Sequence, residues 1–300
     1  MKRILLTGAT GYVGGNLLCV LLDHGHHVRA LARDADRARD RLPSGTEVAE
    51  GDVVSGEGIA EALDGIEVAY YLVHSMGRGS GSTDEFAERD RRAAANFGAA
   101  ARDAGVERVV YLGGLEGASG GEKSEHLRSR EEVAKVLAEH VPTVHVRAAM
   151  VIGEGSASFV MLRSLVHRLP VMVVPKWLDT RTQPVAIEDV TATLAALAEL
   201  PDPPAEVQVG GADVLSYREM MHRYATVAGR RAPVVVTVPV LTPRLSSYWV
   251  GLVTPVEMGL VRPLVDGLTS EMVVQERPPP GLNDDPLGFD EAVRSALGLT

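Results

Sequence analysis

Apolar and polar positions show two alternating kinds of pattern along the first half of the chain. Short, nearly continuous apolar runs, as at residues 4–7 and 68–73, predict strands that are covered on both faces. Segments with apolar positions three and four apart, as at residues 14–24, predict helices with one buried face. Strands and helices that alternate in this way are typical of βαβ units, so the pattern predicts an α/β fold with a doubly wound parallel sheet.

The same two patterns place elements along most of the chain. The predicted strands lie at residues 4–7, 28–32, 47–50, 68–73, 109–112, 143–146, 171–174 and 234–240. The predicted helices lie at residues 14–24, 59–63, 85–104, 124–140, 158–169, 189–200, 217–227 and 290–297.

Charge, the first apolar run and cysteine content argue against several classes of protein. The formal net charge of −10 argues against a nucleic-acid surface, because phosphate binding needs a basic face. The first apolar run ends at Gly8, too early for a signal-peptide core or a membrane span, so we expect no membrane partner. The single cysteine, Cys19, excludes an intrachain disulfide and lies in an apolar helical pattern that predicts a buried thiol. These features favour a cytoplasmic protein.

A glycine-rich turn follows the first predicted strand and opens the first predicted helix. Gly8 permits the tight turn, Gly11 lets the backbone approach a pyrophosphate, and Gly14 allows the helix to pack closely on the strand. The start of the helix then offers free N–H groups and a positive dipole end to phosphates. The pattern predicts a dinucleotide site in a Rossmann fold, with contacts from Gly8, Thr10, Gly11, Tyr12, Val13 and Gly14.

Residues after the later strands predict which dinucleotide is bound. Arg33 follows the second strand, where an acidic residue would bind the ribose of NAD, and its guanidinium favours the 2′-phosphate of NADP. Asp34 is the alternative, since it is adjacent and suits a ribose. Asp52 and Val53 follow the third strand and suit the adenine, although Asp52 also suits a turn or a helix cap. Leu72 and Val73, at the end of the fourth strand, complete the predicted cofactor contacts.

The regular alternation of strands and helices ends near residue 153, where helices and short β-prone runs follow each other less regularly. We expect residues 1–152 to form the NAD(P)-binding Rossmann domain and residues 183–202 to return to it. Residues 153–182 and 203–300 then form a small C-terminal α/β substrate lobe. An amphipathic stretch at residues 243–267 suits the core of this lobe or the face of a homodimer.

The motifs T-G-A-T-G-Y-V-G, L-A-R-D, G-D-V, Y-Y-L-V-H-S and V-V-Y-L-G-G resemble, in this order, the extended and atypical short-chain dehydrogenases/reductases, including NmrA-like members. The resemblance implies a Tyr-x-x-x-Lys pair and a Ser after the fifth strand as the catalytic groups. This chain departs from that pattern, because His126 and Arg130 stand at the Tyr and Lys positions. Gly113 or Gly114 stands where the Ser is expected.

The substituted residues still suggest chemistry. His126 titrates near neutral pH and suits a proton donor, and Arg130, one helical turn later, suits a ribose hydroxyl or a ligand carboxylate. The alternatives are a polar residue at a helix start for His126 and an ion pair with Glu131 or Glu132 for Arg130. The resemblance implies that His74, just past the fourth strand, touches the cofactor or substrate; a buried structural histidine is its alternative.

Three functions follow from these observations. The first is an NADP-dependent oxidoreductase that reduces a small apolar carbonyl or enone-like substrate. The second is an NADP-binding sensor without turnover, and the third is a non-redox enzyme that keeps the fold. No His/Cys spacing matches a tetrahedral metal site, so we expect no metal.

Overall fold

The structure is a computed structural model that describes residues 1–74, 83–115, 125–174, 176–237, 253–256, 265 and 270–299. Its strands are β1 (Arg3–Thr7), β2 (His27–Ala32), β3 (Glu47–Glu50), β4 (Val68–Tyr71), β5 (Arg108–Gly114), β6 (Thr143–Ala148), β7 (Val151–Ile152), β8 (Val171–Val174), β9 (Arg181–Thr182), β10 (Val185–Ala186), β11 (Glu206–Val209), β12 (Leu215–Ser216) and β13 (Val234–Thr237). Seven of these strands form one parallel sheet in the order β11-β6-β5-β4-β1-β2-β3.

Helices cover both faces of this sheet. The described helices are α1 (Tyr12–Asp23), α2 (Ala35–Arg39), α3 (Ile59–Leu63), α4 (Thr83–Asp103), α5 (Glu125–His140), α6 (Ala157–Arg168), α7 (Ile187–Glu199), α8 (Tyr217–Val227) and α9 (Phe289–Ala296). In β1, Ile4 packs into the core formed with α1 and α7, whereas Leu5 packs into the core formed with α3, α4 and α5. Successive strand residues face opposite layers, and this is why the apolar run is continuous.

A smaller C-terminal region carries a third core. Phe159 of α6, Tyr224 of α8 and Phe289 of α9 are all buried in it. Short strand pairs border this core: β7 with β10, β8 with β13, and β9 with β12. Ser216 begins α8 with a capping box, in which its hydroxyl accepts from the Glu219 N–H while the Glu219 carboxylate accepts from the Ser216 N–H.

The predicted fold class is confirmed, since a doubly wound parallel sheet and a smaller C-terminal region are both present. Two details differ from the prediction. Glu206–Val209 lies in the main sheet as the edge strand β11, whereas residues 203–300 are predicted to form part of the lobe. The other domain bounds stay a prediction. Cys19 is exposed on α1, because the helix turns this position away from the sheet.

The pattern also missed α2, a helix of five residues that Asp34 caps. Most of the amphipathic stretch at residues 243–267 lies outside the described residues. Within the part of the chain that the structure describes, no helix combines the length and apolarity that a bilayer crossing requires.

Candidate functional site

The glycine turn between β1 and α1 is held by close backbone contacts. Gly8 has a φ of +73°, and a Cβ there would lie 2.7 Å from the Leu72 carbonyl oxygen. A Cβ at Gly14 would lie 2.2 Å from the Gly8 carbonyl oxygen. Both positions therefore exclude a side chain for packing reasons, and they bring the start of α1 against the end of β1.

Gly11 differs from these two glycines, because a Cβ there would meet a single neighbour within 4 Å, the Gly8 carbonyl oxygen at 3.1 Å. Its N–H donates to that same oxygen, and its side facing away from the turn is not filled by the described residues. Among the described residues no side chain caps α1, and its first turn carries no acidic residue. This end of α1 keeps its N–H donors and positive dipole for an anion, so the residues present fit a dinucleotide pyrophosphate.

Thr7 ties the glycine turn to the neighbouring strand, a role that the sequence did not reveal. Its side chain is buried, and its hydroxyl donates to the Tyr70 carbonyl at 3.0 Å and accepts from the Leu72 N–H at 2.9 Å. Leu72 and Val73, both half-buried, thereby leave β4 directly beside Gly8. The segment that follows, residues 75–82, lies outside the described residues.

Several cationic side chains follow β2. Arg33 is exposed at the strand's carboxyl end, where the sequence placed a 2′-phosphate contact. Asp34 accepts a hydrogen bond from the Arg37 N–H at 2.9 Å and thereby caps α2. Arg41, which sequence reasoning missed, donates from Nη2 to the Thr10 carbonyl at 3.2 Å. A basic residue just after a short helix was the signal that could have found it.

The predicted adenine contacts lie in a compact turn after β3. The Asp52 carboxylate accepts from the Val54 N–H at 2.7 Å, which is the turn role that the sequence left open as the alternative. Asn96 of α4 donates to the carbonyls of Val53 and Val54, both at 3.1 Å. An adenine contact by Asp52 and Val53 stays a prediction.

A cavity of about 380 Å³ lies where the carboxyl ends of β4, β5 and β6 meet the C-terminal region. Its walls are mainly apolar, and four methionines from separate segments line it: Met150, Met161, Met221 and Met272. Side chains with polar atoms also line it: Tyr12, His74, Arg130, Ser156, Ser158 and Tyr217. Its size and lining are typical of a small-molecule site.

Arg130 lines this cavity from α5. Its Nη2 donates to the Leu112 carbonyl at 2.6 Å, and its guanidinium carbon lies 5.8 Å from the centre of the Tyr111 ring. Of its possible ion-pair partners, Glu131 pairs with Lys135 at 3.3 Å. The carbonyl and the ring thus hold the positive charge of Arg130 at the carboxyl end of β5.

At Gly113, one of the two positions where a catalytic Ser is expected, a neighbouring ring fills the space of a side chain. A Cβ at Gly113 would lie 2.2 Å from Nε2 of His145, which stacks on Tyr111 with ring centres 5.3 Å apart. Burial, followed by the charges of Arg147 and Arg130, lowers the pKa of His145 to about 3. The imidazole is therefore neutral, and its Nε2 has no hydrogen-bond partner among the described residues.

The structure describes the side chain of only one of the two candidate histidines. His126 lies in the first turn of α5, one turn before Arg130, but its side chain lies outside the described residues. His74 is exposed and lines the cavity, so it is not a buried core histidine. The structure therefore brings His74 and Arg130 to one cavity, and the catalytic role of all three residues stays a prediction.

Tyr12 joins the glycine turn to the cavity wall. Its ring occupies the space beside two glycines, because a Cβ at Gly153 would lie 1.8 Å from its hydroxyl and a Cβ at Gly155 2.6 Å from its ring. Burial, followed by the charge of Glu188, raises the pKa of Tyr12 to about 12. Tyr12 therefore keeps its proton. Gly153 and Gly155, which have no side chains, provide the room for this ring.

Comparison with known proteins places the chain in a family. Residues 8–163, just over half of the chain, match the NAD(P)H-binding family. A 3 beta-hydroxysteroid dehydrogenase/Delta 5-->4-isomerase of Mycobacterium tuberculosis is 38% identical over 133 residues, which cover 41% of this chain and 34% of the relative. A 4-hydroxy-2-methyl-3-oxo-4-farnesyl-3,4-dihydroquinoline-1-oxide ketoreductase of Stigmatella aurantiaca is 30% identical over 110 residues, which cover 37% of this chain and 33% of the relative. The matches thus span about a third of the length of these curated relatives.

A solved structure resembles the whole chain. Citrobacter sp. triphenylmethane reductase complexed with NADP(H) has a TM-score of 0.74 at 19% identity, over 98% of this chain and 99% of that one. At this identity the likeness shows the fold alone. The glycine turn, the sheet order and the family match agree with the resemblance of the motifs. This chain belongs to the NAD(P)H-binding family and is an atypical member of the short-chain dehydrogenases/reductases.

Proposed function

We propose that this protein is an NADP-dependent oxidoreductase that reduces a carbonyl or enone group of a small apolar molecule. The observation that carries the proposal is that Tyr12 and Val13 belong both to the glycine turn and to the wall of the apolar cavity. A dinucleotide whose pyrophosphate lies at the start of α1 would therefore extend its nicotinamide end towards this cavity.

The choice of NADP rests on charge around the end of β2. Arg33 and Arg41 offer two guanidinium groups near the glycine turn, and both suit a 2′-phosphate. The Asp34 carboxylate, the group that would favour NAD, already accepts from the backbone of α2. The fold relative from Citrobacter sp. was solved with NADP(H), which supports the same choice.

The apolar substrate class rests on the cavity lining and on the relatives. Methionine side chains are flexible and polarisable, so four of them allow the cavity to fit apolar molecules of different shape. The names of the two curated relatives describe a dehydrogenase of hydroxysteroids and a ketoreductase of a farnesyl quinoline oxide. Both names describe an apolar molecule that carries a hydroxyl or keto group.

Bound NADPH would supply the hydride, and the residues of the chain would orient the substrate and manage charge. Arg130, held by the Leu112 carbonyl, places a positive charge at the cavity, where it can bind a ribose hydroxyl or a substrate oxygen. His126, one helical turn earlier, replaces the usual Tyr as the proton donor in this proposal. His74 lines the same cavity and contacts the cofactor or substrate.

One observation favours a second function. The His145 ring fills the space that a Ser at position 113 would need, so this chain has lost a usual catalytic group and its room as well. That loss suits an NADP-binding sensor that does not turn over.

A titration followed by a turnover assay separates the two functions. The purified protein is titrated with NADPH and NADH, and wild type, His126→Ala and His140→Ala are then assayed on enones, quinones and aldehydes. The proposal expects tighter binding of NADPH than of NADH, and NADPH oxidation that His126→Ala reduces. His140→Ala, at the other end of α5, should leave the rate unchanged.

Tight NADPH binding without oxidation by any compound of the panel would replace the oxidoreductase by the sensor. Equal affinity for NADH and NADPH would remove the argument from Arg33 and Arg41. Oxidation that does not depend on His126 would leave the reductase and reject that residue as the proton donor.

A further inference from the structure

The first turn of α6 forms part of the cavity wall. Ser156, Ala157 and Ser158 all line the cavity, and Ser158 is half-buried there. This wall belongs to the C-terminal region, whereas Arg130 lines the cavity from α5 and His74 from the segment after β4. Two hydroxyl groups therefore lie on the wall of a largely apolar cavity, on a segment that the family's usual catalytic residues do not occupy.

Of the two serine hydroxyls, that of Ser158 is the donor that can change its hydrogen-bond partner. The Ser156 hydroxyl donates to the Val151 carbonyl at 2.7 Å, which uses its single hydrogen. The Ser158 hydroxyl lies 3.0 Å from the Ser156 oxygen and 3.3 Å from the Val151 carbonyl. Ser156 makes the shorter bond to the Val151 carbonyl. Among these three groups, Ser158 can therefore donate only to the Ser156 oxygen at 3.0 Å or to the Val151 carbonyl at 3.3 Å. An acceptor that lies closer in the cavity would compete for this hydrogen.

The reaction needs such a donor, because negative charge develops on the substrate oxygen while a carbonyl is reduced. A serine after β5 would ordinarily supply it, but glycine stands at both candidate positions, 113 and 114, and the His145 ring excludes a side chain at Gly113. The start of α6 also contributes a favourable field, since no side chain among the described residues caps this helix of twelve residues and its first turn carries no acidic residue.

We infer that the Ser158 hydroxyl donates a hydrogen bond to the reacting oxygen of the substrate, in place of the missing serine after β5. This inference rests on the proposed function, since it assigns a further residue to that same site. Ser158 keeps its own proton throughout. The Ser156 hydroxyl, fixed on Val151, accepts from Ser158 while no substrate is bound and holds its side chain at the cavity.

Turnover gives the first test. With a reducible enone from the panel, Ser158→Ala should lower kcat about tenfold to a hundredfold, with the Kd for NADPH unchanged. Ser158→Thr keeps a hydroxyl and should restore most of the rate. Ser164→Ala is the matched control, because Ser164 is a buried serine of the same helix that does not line the cavity among the described residues. Its kcat should equal that of the wild type.

A spectroscopic readout tests the hydrogen bond without turnover. Carbonyl-labelled acetophenone is bound to the complex of the protein with NADP⁺, and its carbonyl stretch is recorded by infrared difference spectroscopy. A hydrogen bond from Ser158 lowers this frequency, so Ser158→Ala should raise it while Ser158→Thr and Ser164→Ala retain the wild-type value.

The outcomes separate this inference from the proposed function. An unchanged frequency and kcat in Ser158→Ala would overturn the role of Ser158 and leave the reductase intact. A frequency shift together with no turnover in the wild type would support Ser158 as a carbonyl-binding residue and reject the reductase. Failure of acetophenone to bind the NADP⁺ complex would overturn the cavity as a carbonyl site, and the role of Ser158 with it.

Discussion

At the scale of single residues, the most informative contact is the one between Gly113 and His145. The imidazole packs on Tyr111, and Tyr111 in turn lies under the guanidinium of Arg130. One buried ring therefore both removes the room for a serine and supports the ring beneath the cationic side chain of the cavity. The lack of room for a side chain at position 113 and the ring contact of Arg130 thus both involve the His145–Tyr111 stack.

Gly113→Ser should destabilise the protein by about 1–3 kcal/mol, because its Cβ would overlap the His145 ring and force a backbone or side-chain shift. Urea unfolding measures this loss. Gly114→Ala is the control and should cost less, because the nearest atom to its Cβ is the flexible end of Leu127 at 3.0 Å. In a His145→Ala background the cost of Gly113→Ser should shrink; equal costs in both backgrounds would refute the contact.

His145 should also make the stability depend on pH. Its pKa is about 3 in the folded protein and about 6.5 when unfolded, so the unfolded chain binds a proton that the folded chain does not. Stability should therefore fall as the pH decreases from about 6.5 towards 3, by about 1.4 kcal/mol per pH unit from this group. It should be insensitive to this group above pH 6.5.

His145→Gln removes that titration and serves as the comparison. The difference in free energy of unfolding between wild type and His145→Gln should change with pH below 6.5, as urea titrations at several pH values would reveal. The buried His26 contributes equally to both proteins and cancels. A difference that stays constant from pH 7 to pH 4 would contradict the buried neutral imidazole.

At the scale of elements, the short helix α2 shows what the hydrophobic pattern fails to predict. Its five residues carry too little periodicity for a pattern to detect. Its existence nevertheless decides the role of Asp34, whose carboxylate caps the helix, and it sets Arg41 beside the glycine turn. The longer elements, by contrast, were predicted within a few residues, since burial of one helix face or of both strand faces leaves a clear pattern.

Arg41→Ala should weaken NADPH binding about tenfold and leave NADH binding unchanged, because one guanidinium contact to the 2′-phosphate is lost. Fluorescence titration with both dinucleotides measures the two affinities. Arg39→Ala is the matched control, since Arg39 lies two residues earlier and pairs with Asp36 at 2.6 Å. A parallel loss of NADH affinity would indicate that Arg41 supports the turn at Thr10 without contacting the phosphate.

At the scale of the whole molecule, the cavity exists because two parts of the chain meet. The carboxyl end of β5 supplies Leu112 and Gly113, α5 supplies Arg130, and the C-terminal region supplies α6 and Tyr217. Tyr12 connects them, because its backbone belongs to the glycine turn and its ring fills the space beside Gly153 and Gly155. The glycine turn and the wall of the cavity are therefore connected through one side chain.

Gly153→Ala should test this connection. Its Cβ would lie 1.8 Å from the Tyr12 hydroxyl, so the ring must move, and we expect a loss of about 1–3 kcal/mol in stability with weaker NADPH binding. Tyr12→Phe removes the hydroxyl and leaves the nearest ring atom 3.1 Å away, so the double variant should recover part of both losses. Thermal unfolding with and without NADPH measures them, and additive effects would show that the two residues do not interact.

Local sequence patterns were enough to predict the fold class, the glycine turn and the departure from the usual catalytic residues. Each of these depends on local properties: which faces of an element are apolar, which backbone positions exclude a side chain, and which residue type stands at a motif position. These properties depend on residues that are neighbours in sequence, so they can be recognised without knowledge of the tertiary contacts.

Only the packing of distant elements shows where the unusual residues lie and what they contact. That His145 occupies the room of the absent serine, that Arg130 is anchored on Leu112, and that Ser158 lines the same cavity all depend on residues far apart in sequence. Such contacts arise when separate elements pack together, and packing depends on the shape and volume of both partners. The arrangement of the cavity therefore depends on the packing of α6 against the carboxyl ends of the central strands, which no local pattern contains.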